Sequence, residues 1–143
     1  MSLMQINVSH MQGKVPVTVL ALKGEMDASN YQSVVAEAEK IYNNGSRYLL
    51  LDMSELSFMS SSGLAGLHMI AVLMRGEEPP DPEYGWAVFH AIEQDRDSGQ
   101  QQHFKLLSPQ PSIERVLRTS GLDLFFEIHT DKAAAIASFA TSN

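Results

Sequence analysis

The stretch YLLLDMSELSFMSSSGLAGLHMIAVLMR, residues 48–75, changes its hydrophobic period partway along. Residues 48–51 form a short apolar run of the kind that a β-strand shows when both of its faces are covered. In residues 64–74 the apolar side chains recur at helical spacing, and the SSSG run at 60–63 stands where that helix must begin. The stretch therefore predicts a central strand that closes at Asp52, then a polar turn and a buried helix.

Three hydroxyl groups, those of Ser60, Ser61 and Ser62, lie at the start of this predicted helix. A helix N-terminus has four backbone N–H groups without intrahelical partners and carries a partial positive charge. Such an end can be capped by a serine oxygen, or it can accommodate a phosphate group. The residue types alone leave both roles open.

The segments on either side alternate between strand and helix patterns. Strand patterns occupy residues 5–8, 15–22, 104–107 and 125–128, and helical patterns occupy residues 31–42, 113–117 and 131–139. Residues 29–32 have the form of a capping box for the first of these helices, and Thr130 or Asp131 is expected to cap the last. This order of elements favours a mixed sheet flanked by helices.

Residues 76–103 differ in composition from the rest of the chain. They begin with the acidic, proline-rich run EEPPDPE at 77–83, which cannot form the interior of a helix. Trp86, Phe89 and Ile92 follow at helical spacing, although the same stretch also fits a strand paired with residues 104–107. We favour the helix, with Trp86 and Phe89 either packed against the domain or exposed as an anchor for a partner.

Composition limits the classes of function. A chain of 143 residues with 44% hydrophobic and 19% charged residues is of single-domain size and able to bury one core. Its net charge of −7 disfavours binding to nucleic acid or to anionic membranes, and it has no cysteine for disulfides or thiol chemistry. The apolar window 64–74 is shorter than the ~20 residues of a transmembrane helix. Residues 1–3 are interpreted as an expression scar, and a cytoplasmic location is expected.

The run LSFMSSSGL at 56–64 resembles the signature of the STAS domain. The resemblance is strongest to the bacterial anti-sigma factor antagonists, in which the corresponding run is FMDSSGL, so that Ser60 stands where the family usually has an aspartate. The KGEMD run at 23–27 resembles the Gly-Glu-Leu-Asp turn of the family. The runs SP at 108–109 and SGL at 120–122 resemble its closing strand and helix. The similarity covers most of the chain outside residues 76–103.

The resemblance implies one α/β domain of the STAS type over residues 4–143, with an inserted segment at about 76–103. Its sheet would be mixed, with four to five strands, and about four helices would pack mainly on one face. The implied function is that of a non-enzymatic anti-sigma factor antagonist. Such a protein binds an anti-sigma factor serine kinase when unphosphorylated, is released by serine phosphorylation, and is reset by a serine phosphatase.

The resemblance also assigns site residues. Ser61 matches the phosphorylated serine of the family, and Ser62 is the second choice. The implied partner-binding residues are Asp27, Ser60, Ser61, Ser62, Gly63 and Leu64. Asp27 fits a plain turn residue equally well. Two other functions stay open: a STAS scaffold or sensor module that works without phosphorylation, and a domain that binds a small anion or lipid at the helix start.

Catalytic motifs are absent from the sequence. The nucleophile elbow G-x-S-x-G is missing, and His68 lies within the apolar helical pattern, where a core histidine is more common than a general base. Neither Gly-rich nucleotide-binding motif occurs, and the Asp95–Gly99 stretch fails the spacing of a calcium loop. The sequence therefore predicts no enzymatic activity, no cofactor and no metal.

Overall fold

The computed structural model describes residues 4–79, 85–95 and 100–140. Within these residues there are five strands and five helices. In chain order they are β1 (Met4–Gln12), β2 (Pro16–Met26), α1 (Tyr31–Asn43), β3 (Leu49–Met59), α2 (Ser61–Met74), α3 (Gly85–Asp95), β4 (Phe104–Leu107), α4 (Pro111–Ser120), β5 (Ile128–His129) and α5 (Lys132–Ser138). None of the helices in the described ranges is long and apolar enough to cross a membrane.

The strands form one sheet in the order β1-β2-β3-β4-β5. The β1–β2 pair is antiparallel, and all the other pairs are parallel. Leu49, Leu50 and Leu51 on the central strand have no exposed surface, because helices cover both faces of the sheet there. The predicted mixed sheet is confirmed, with five strands.

Two apolar clusters lie on opposite faces of the sheet. The larger one joins the apolar sides of α1, α2 and α4 to Leu20, Leu49 and Leu51, and Ile92 of α3 packs at its margin. The smaller one joins α5 to Val17, Val19 and Leu50. The prediction that the helices pack mainly on one face is therefore confirmed, with α5 on the other.

The predicted end of the central strand at Asp52 is wrong. The strand β3 continues to Met59, because the long β2 pairs with it in parallel as far as Met26. Two register shifts in this pairing break the regular alternation of buried and exposed residues. The period of two that identifies a half-buried strand is thus lost from the sequence beyond Asp52.

Two further expectations concern the last strand and the segment after α2. The last strand is Ile128–His129 and not residues 125–128, because Phe125 and Phe126 are buried in the turn that follows α4. The helix favoured over a strand for residues 86–92 is confirmed as α3. The side chains of Trp86 and Phe89 lie outside the described part of the chain, and the limits of the inserted segment stay a prediction.

Candidate partner-binding and phosphorylation site

The candidate site lies at the carboxyl ends of two neighbouring parallel strands, β2 and β3. Glu25 pairs with Phe58 and Met26 with Met59, so that β2 and β3 end side by side. The amide of Ser60 donates a hydrogen bond of 2.9 Å to the carbonyl oxygen of Met26. The turn after β2 and the start of α2 are consequently fixed next to each other.

Ser60 is the residue that caps α2. Its backbone is extended, with φ −82° and ψ 176°, and its Oγ accepts a hydrogen bond of 3.4 Å from the amide of Gly63. The carbonyl of Ser60 also accepts from the amide of Leu64 at 3.2 Å, which closes the first helical turn. The capping role that the sequence left open among three serines therefore belongs to Ser60.

Ser61 is the first helical residue and is exposed, whereas Ser62 is half-buried. Helix geometry leaves the first amides of α2 without intrahelical carbonyl partners. The first turn, which is described in full, contains no acidic side chain. An exposed hydroxyl thus stands at the positive end of a helix, where an added negative charge is favoured.

Asp27 organises the turn that precedes α1. Its carboxylate accepts hydrogen bonds from the amide and the hydroxyl of Ser29, and its carbonyl accepts from the amides of Asn30 and Tyr31. The Asn30 side chain accepts from the Asp27 amide at 2.9 Å and donates to the Glu25 carbonyl at 2.9 Å. The predicted capping box over residues 29–32 is wrong, because the side chains of Ser29 and Asn30 hold this turn and no side chain caps α1.

Gly63 and Gly66 allow α2 to approach the sheet closely. A Cβ atom on Gly63 would overlap Cγ of the buried Met59, and one on Gly66 would lie 3.0 Å from Cε of Met26. The glycine in the SSSG run is therefore required by packing. Gly63 is itself buried, so it presents little surface of its own.

The remaining predicted site residues differ in accessibility. Asp27, Ser60, Ser62 and Leu64 are half-buried, which leaves Ser61 as the most accessible member of the set. Phe58, which the sequence analysis did not assign to the site, is 47% exposed and lies just before Ser60 on β3. The strand pattern gave no indication of this, because the register shifts hide which face each side chain takes.

A second polar cluster lies farther along α2 and involves the last residue of α3. Nε2 of the buried His68 is 2.9 Å from Oδ2 of Asp95, which also accepts from Nη1 of Arg75 at 2.8 Å. Among the described residues, Nδ1 of His68 has no hydrogen-bond partner. The cluster therefore ties α3 to α2, and His68 is a core residue as predicted.

The pKa values in this cluster follow from burial and hydrogen bonding. Burial lowers the pKa of His68 below 6.5, despite the hydrogen bond to Asp95. Burial alone would raise the pKa of Asp95, but the hydrogen bonds from His68 and Arg75 outweigh it, so that this pKa is lowered. The unfolded chain binds a proton at His68 more readily than the folded protein does. The stability that neutral His68 contributes is therefore fully present above pH 6.5, and it is lost as the pH falls through the pKa of His68 in the folded protein.

The fold and the candidate site together define a small α/β domain that exposes a serine at a helix start. Residues 9–75 match the family model of the STAS domain. Over these 67 residues, just under half of the chain, the protein is similar to the STAS domain. The match covers β2, α1, β3 and α2, and thus includes both the Asp27 turn and the serine run.

Solved structures share the fold over most of the chain. An anti-sigma factor antagonist from Mycobacterium paratuberculosis is 18% identical, with a TM-score of 0.62, and the match covers 94% of this chain and 92% of that one. The anti-sigma factor antagonist SpoIIAA in its unphosphorylated form is 22% identical, with a TM-score of 0.56 and coverage of 92% and 93%. The Bacillus cell fate determinant SpoIIAA in its phosphorylated form is 19% identical, with a TM-score of 0.53 and coverage of 92% and 96%. At these identities the similarity establishes the common fold.

Proposed function

We propose that this protein is an anti-sigma factor antagonist that acts by partner switching in the cytoplasm. Unmodified, it binds an anti-sigma factor that is also a serine kinase, and this frees the sigma factor. Phosphorylation of Ser61 by the same kinase breaks the complex, and a serine phosphatase restores the binding form. The protein itself contributes a surface and an acceptor hydroxyl, and it catalyses no step. The proposal is supported by solved structures of the same fold that are anti-sigma factor antagonists.

The proposal rests on one observation, which is that two adjacent serines have different roles. Ser60 caps α2 through its side chain, and Ser61 is thereby the first residue of the helix and exposed. A kinase can reach the Ser61 hydroxyl without breaking the cap. Modification of Ser61 then changes the surface while the fold is retained.

The electrostatics of the site suit a switch of this kind. A phosphoserine adds about −1.5 to −2 charges and three acceptor oxygens, which a helix N-terminus tolerates. The exposed Glu25 and the Asp27 carboxylate lie at the adjoining end of β2. A phosphate at Ser61 therefore repels any acidic group that the partner places there.

The proposal is tested with the cognate kinase and two variants of one residue. Ser61→Ala should bind the kinase with an affinity close to that of the parent protein, and Ser61→Asp should bind at least tenfold more weakly in calorimetric titrations. Gln102→Glu is a suitable control, because Gln102 is exposed and precedes β4, so that its added charge lies at the opposite end of the parallel strands. Equal binding by Ser61→Asp and Ser61→Ala would refute the switch.

A phosphorylation-independent STAS scaffold is the second candidate. One observation favours this candidate. Ser60 has a neutral hydroxyl at the position where the STAS family usually has an aspartate beside the phosphorylated serine. Mass spectrometry after incubation with kinase and ATP separates the two candidates. A phosphate on Ser61 supports the switch, and an unmodified chain that still binds the kinase supports the scaffold. Stabilisation by phosphates or nucleotides in a thermal-shift screen would instead support a small-anion site.

A further inference from the structure

The two edges of the sheet are protected very differently. At one edge, β5 is only two residues long. At the other, β1 is nine residues long and pairs with β2 residue by residue without a bulge. A short strand or a bulge is a common protection against edge-to-edge association. The β1 edge has neither, and no strand in the described part of the chain pairs with its outer side.

The composition of β1 also lacks the usual protection. The strand MQINVSHMQ contains no lysine, arginine, aspartate, glutamate or proline, although the chain as a whole carries a net charge of −7. Charged side chains and prolines are the residues that most often keep an edge strand from pairing. A neutral edge is also the place where two copies of an acidic protein repel each other least.

The exposed side chains of β1 are partly apolar. Val8 is 40% exposed and Met11 is 41% exposed, and they are two of four large hydrophobic residues exposed among those described. Val8 is the midpoint of Met4–Gln12, on the same face as Ile6, which packs against the larger apolar cluster. An extension of the sheet beyond β1 would therefore continue an apolar strip that already reaches the core.

We propose that β1 pairs with β1 of a second copy, antiparallel and centred on Val8, to form a continuous ten-stranded sheet across a twofold axis. This register uses the whole strand and places Val8 opposite Val8, Ile6 opposite His10 and Asn7 opposite Ser9. Every opposed pair is uncharged, so the strand is complementary to itself, as a twofold interface requires. The pairing satisfies the outward N–H and C=O groups of both strands. It does not depend on the proposed switch.

The mass in solution gives the first test. Sedimentation should show a species of twice the 15.8 kDa chain mass, and association should tighten with added salt, because screening reduces the repulsion between two acidic copies. Val8→Lys places two ammonium groups opposite each other and should weaken the dimer at least tenfold. Met11→Lys is the matched control, since Met11 is equally exposed but faces Gln5 of the second copy, and it should weaken the dimer much less.

The register is tested by cross-linking. The chain has no cysteine, so Val8→Cys introduces a single thiol. Residues directly opposed in an antiparallel pair have Cα atoms about 4.5–5.5 Å apart, within the range of a disulfide. Mild oxidation should therefore cross-link Val8→Cys rapidly. In Met11→Cys the two thiols lie roughly 20 Å apart along the strands, and cross-linking should be slow.

Several results would overturn the proposal. A monomer at millimolar concentration would exclude the second copy as the occupant of this edge. A dimer that survives Val8→Lys, in a variant that retains its circular dichroism spectrum, would assign the interface to another surface. Equal cross-linking of Val8→Cys and Met11→Cys would indicate random collision or a different register.

Discussion

The cap of α2 gives the most direct quantitative prediction. Replacement of Ser60 by alanine removes the oxygen that accepts the Gly63 amide and leaves that donor without its partner. Loss of an N-cap residue costs about 0.5–2 kcal/mol. Because 3.4 Å is long for an N–H···O hydrogen bond, the expected loss lies in the lower half of that range, at no more than about 1 kcal/mol. For a chain of this size such a loss corresponds to a decrease in melting temperature of roughly 3 °C.

Urea denaturation followed by circular dichroism measures this loss, and a neighbouring residue provides the control. Ser61 is the next residue along the chain, and it is exposed and does not cap the helix. The free energy of unfolding of Ser61→Ala should therefore stay within about 0.5 kcal/mol of the parent value. A difference between Ser60→Ala and Ser61→Ala therefore reports the cap alone. If Ser61→Ala were the more destabilising of the two, the assignment of the cap to Ser60 would be refuted.

Replacement of Ser60 by aspartate extends the same reasoning in the opposite direction. Aspartate caps helices about as well as serine, and its charge also interacts favourably with the helix dipole by about 0.3–1 kcal/mol. The first turn of α2 has no acidic residue of its own, and the carboxylates of Glu25 and Asp27 at the adjoining end of β2 offset only part of this dipole term. Ser60→Asp should be at least as stable as the parent protein at pH 7, and a loss of stability would contradict the proposed geometry.

Three further predictions concern packing and buried polar groups. Gly63→Ala forces a methyl group against Met59 and should lower the free energy of unfolding by about 1–3 kcal/mol. In urea denaturation, the double variant with Met59→Ala should lose less stability than the sum of the two single losses. His68→Gln should flatten the decrease in unfolding free energy between pH 7 and pH 5, because burial lowers the pKa of His68 in the folded protein; an unchanged slope would contradict this. Burial alone would raise the pKa of Glu127, but the hydrogen bond from the buried Lys105 ammonium, 3.1 Å away, lowers it. Lys105→Met should therefore raise this pKa in an NMR titration, with a stability loss below about 3 kcal/mol because the Glu127 side chain is 32% exposed. An unmoved pKa would show that Lys105 is not the dominant partner.

Local patterns identified much of the fold and the place of the site. The change from an apolar run to helical spacing within residues 48–75 predicted both the central strand and α2, because each of these periods reflects one element and its buried face. The serine run likewise predicted the start of α2, since the groups that a helix start must satisfy are close in sequence.

Features that depend on pairing between distant segments were not predictable in this way. The length of β3 depends on its pairing with β2 and on two register shifts in that pairing, neither of which leaves a periodic signal in the sequence. The tie between His68 and Asp95 joins residues that are 27 positions apart, and it required the position of α3 to be known.

The serine run shows the division most clearly. The sequence by itself determined that hydroxyl groups would crowd the start of a buried helix, because composition and period are local properties. Only the tertiary structure decided that Ser60 caps that helix and that Ser61 is exposed. The physical reason is that the hydrogen bond from the Ser60 amide to Met26 fixes where the chain leaves the sheet, and this bond joins two strands that the sequence alone does not place side by side.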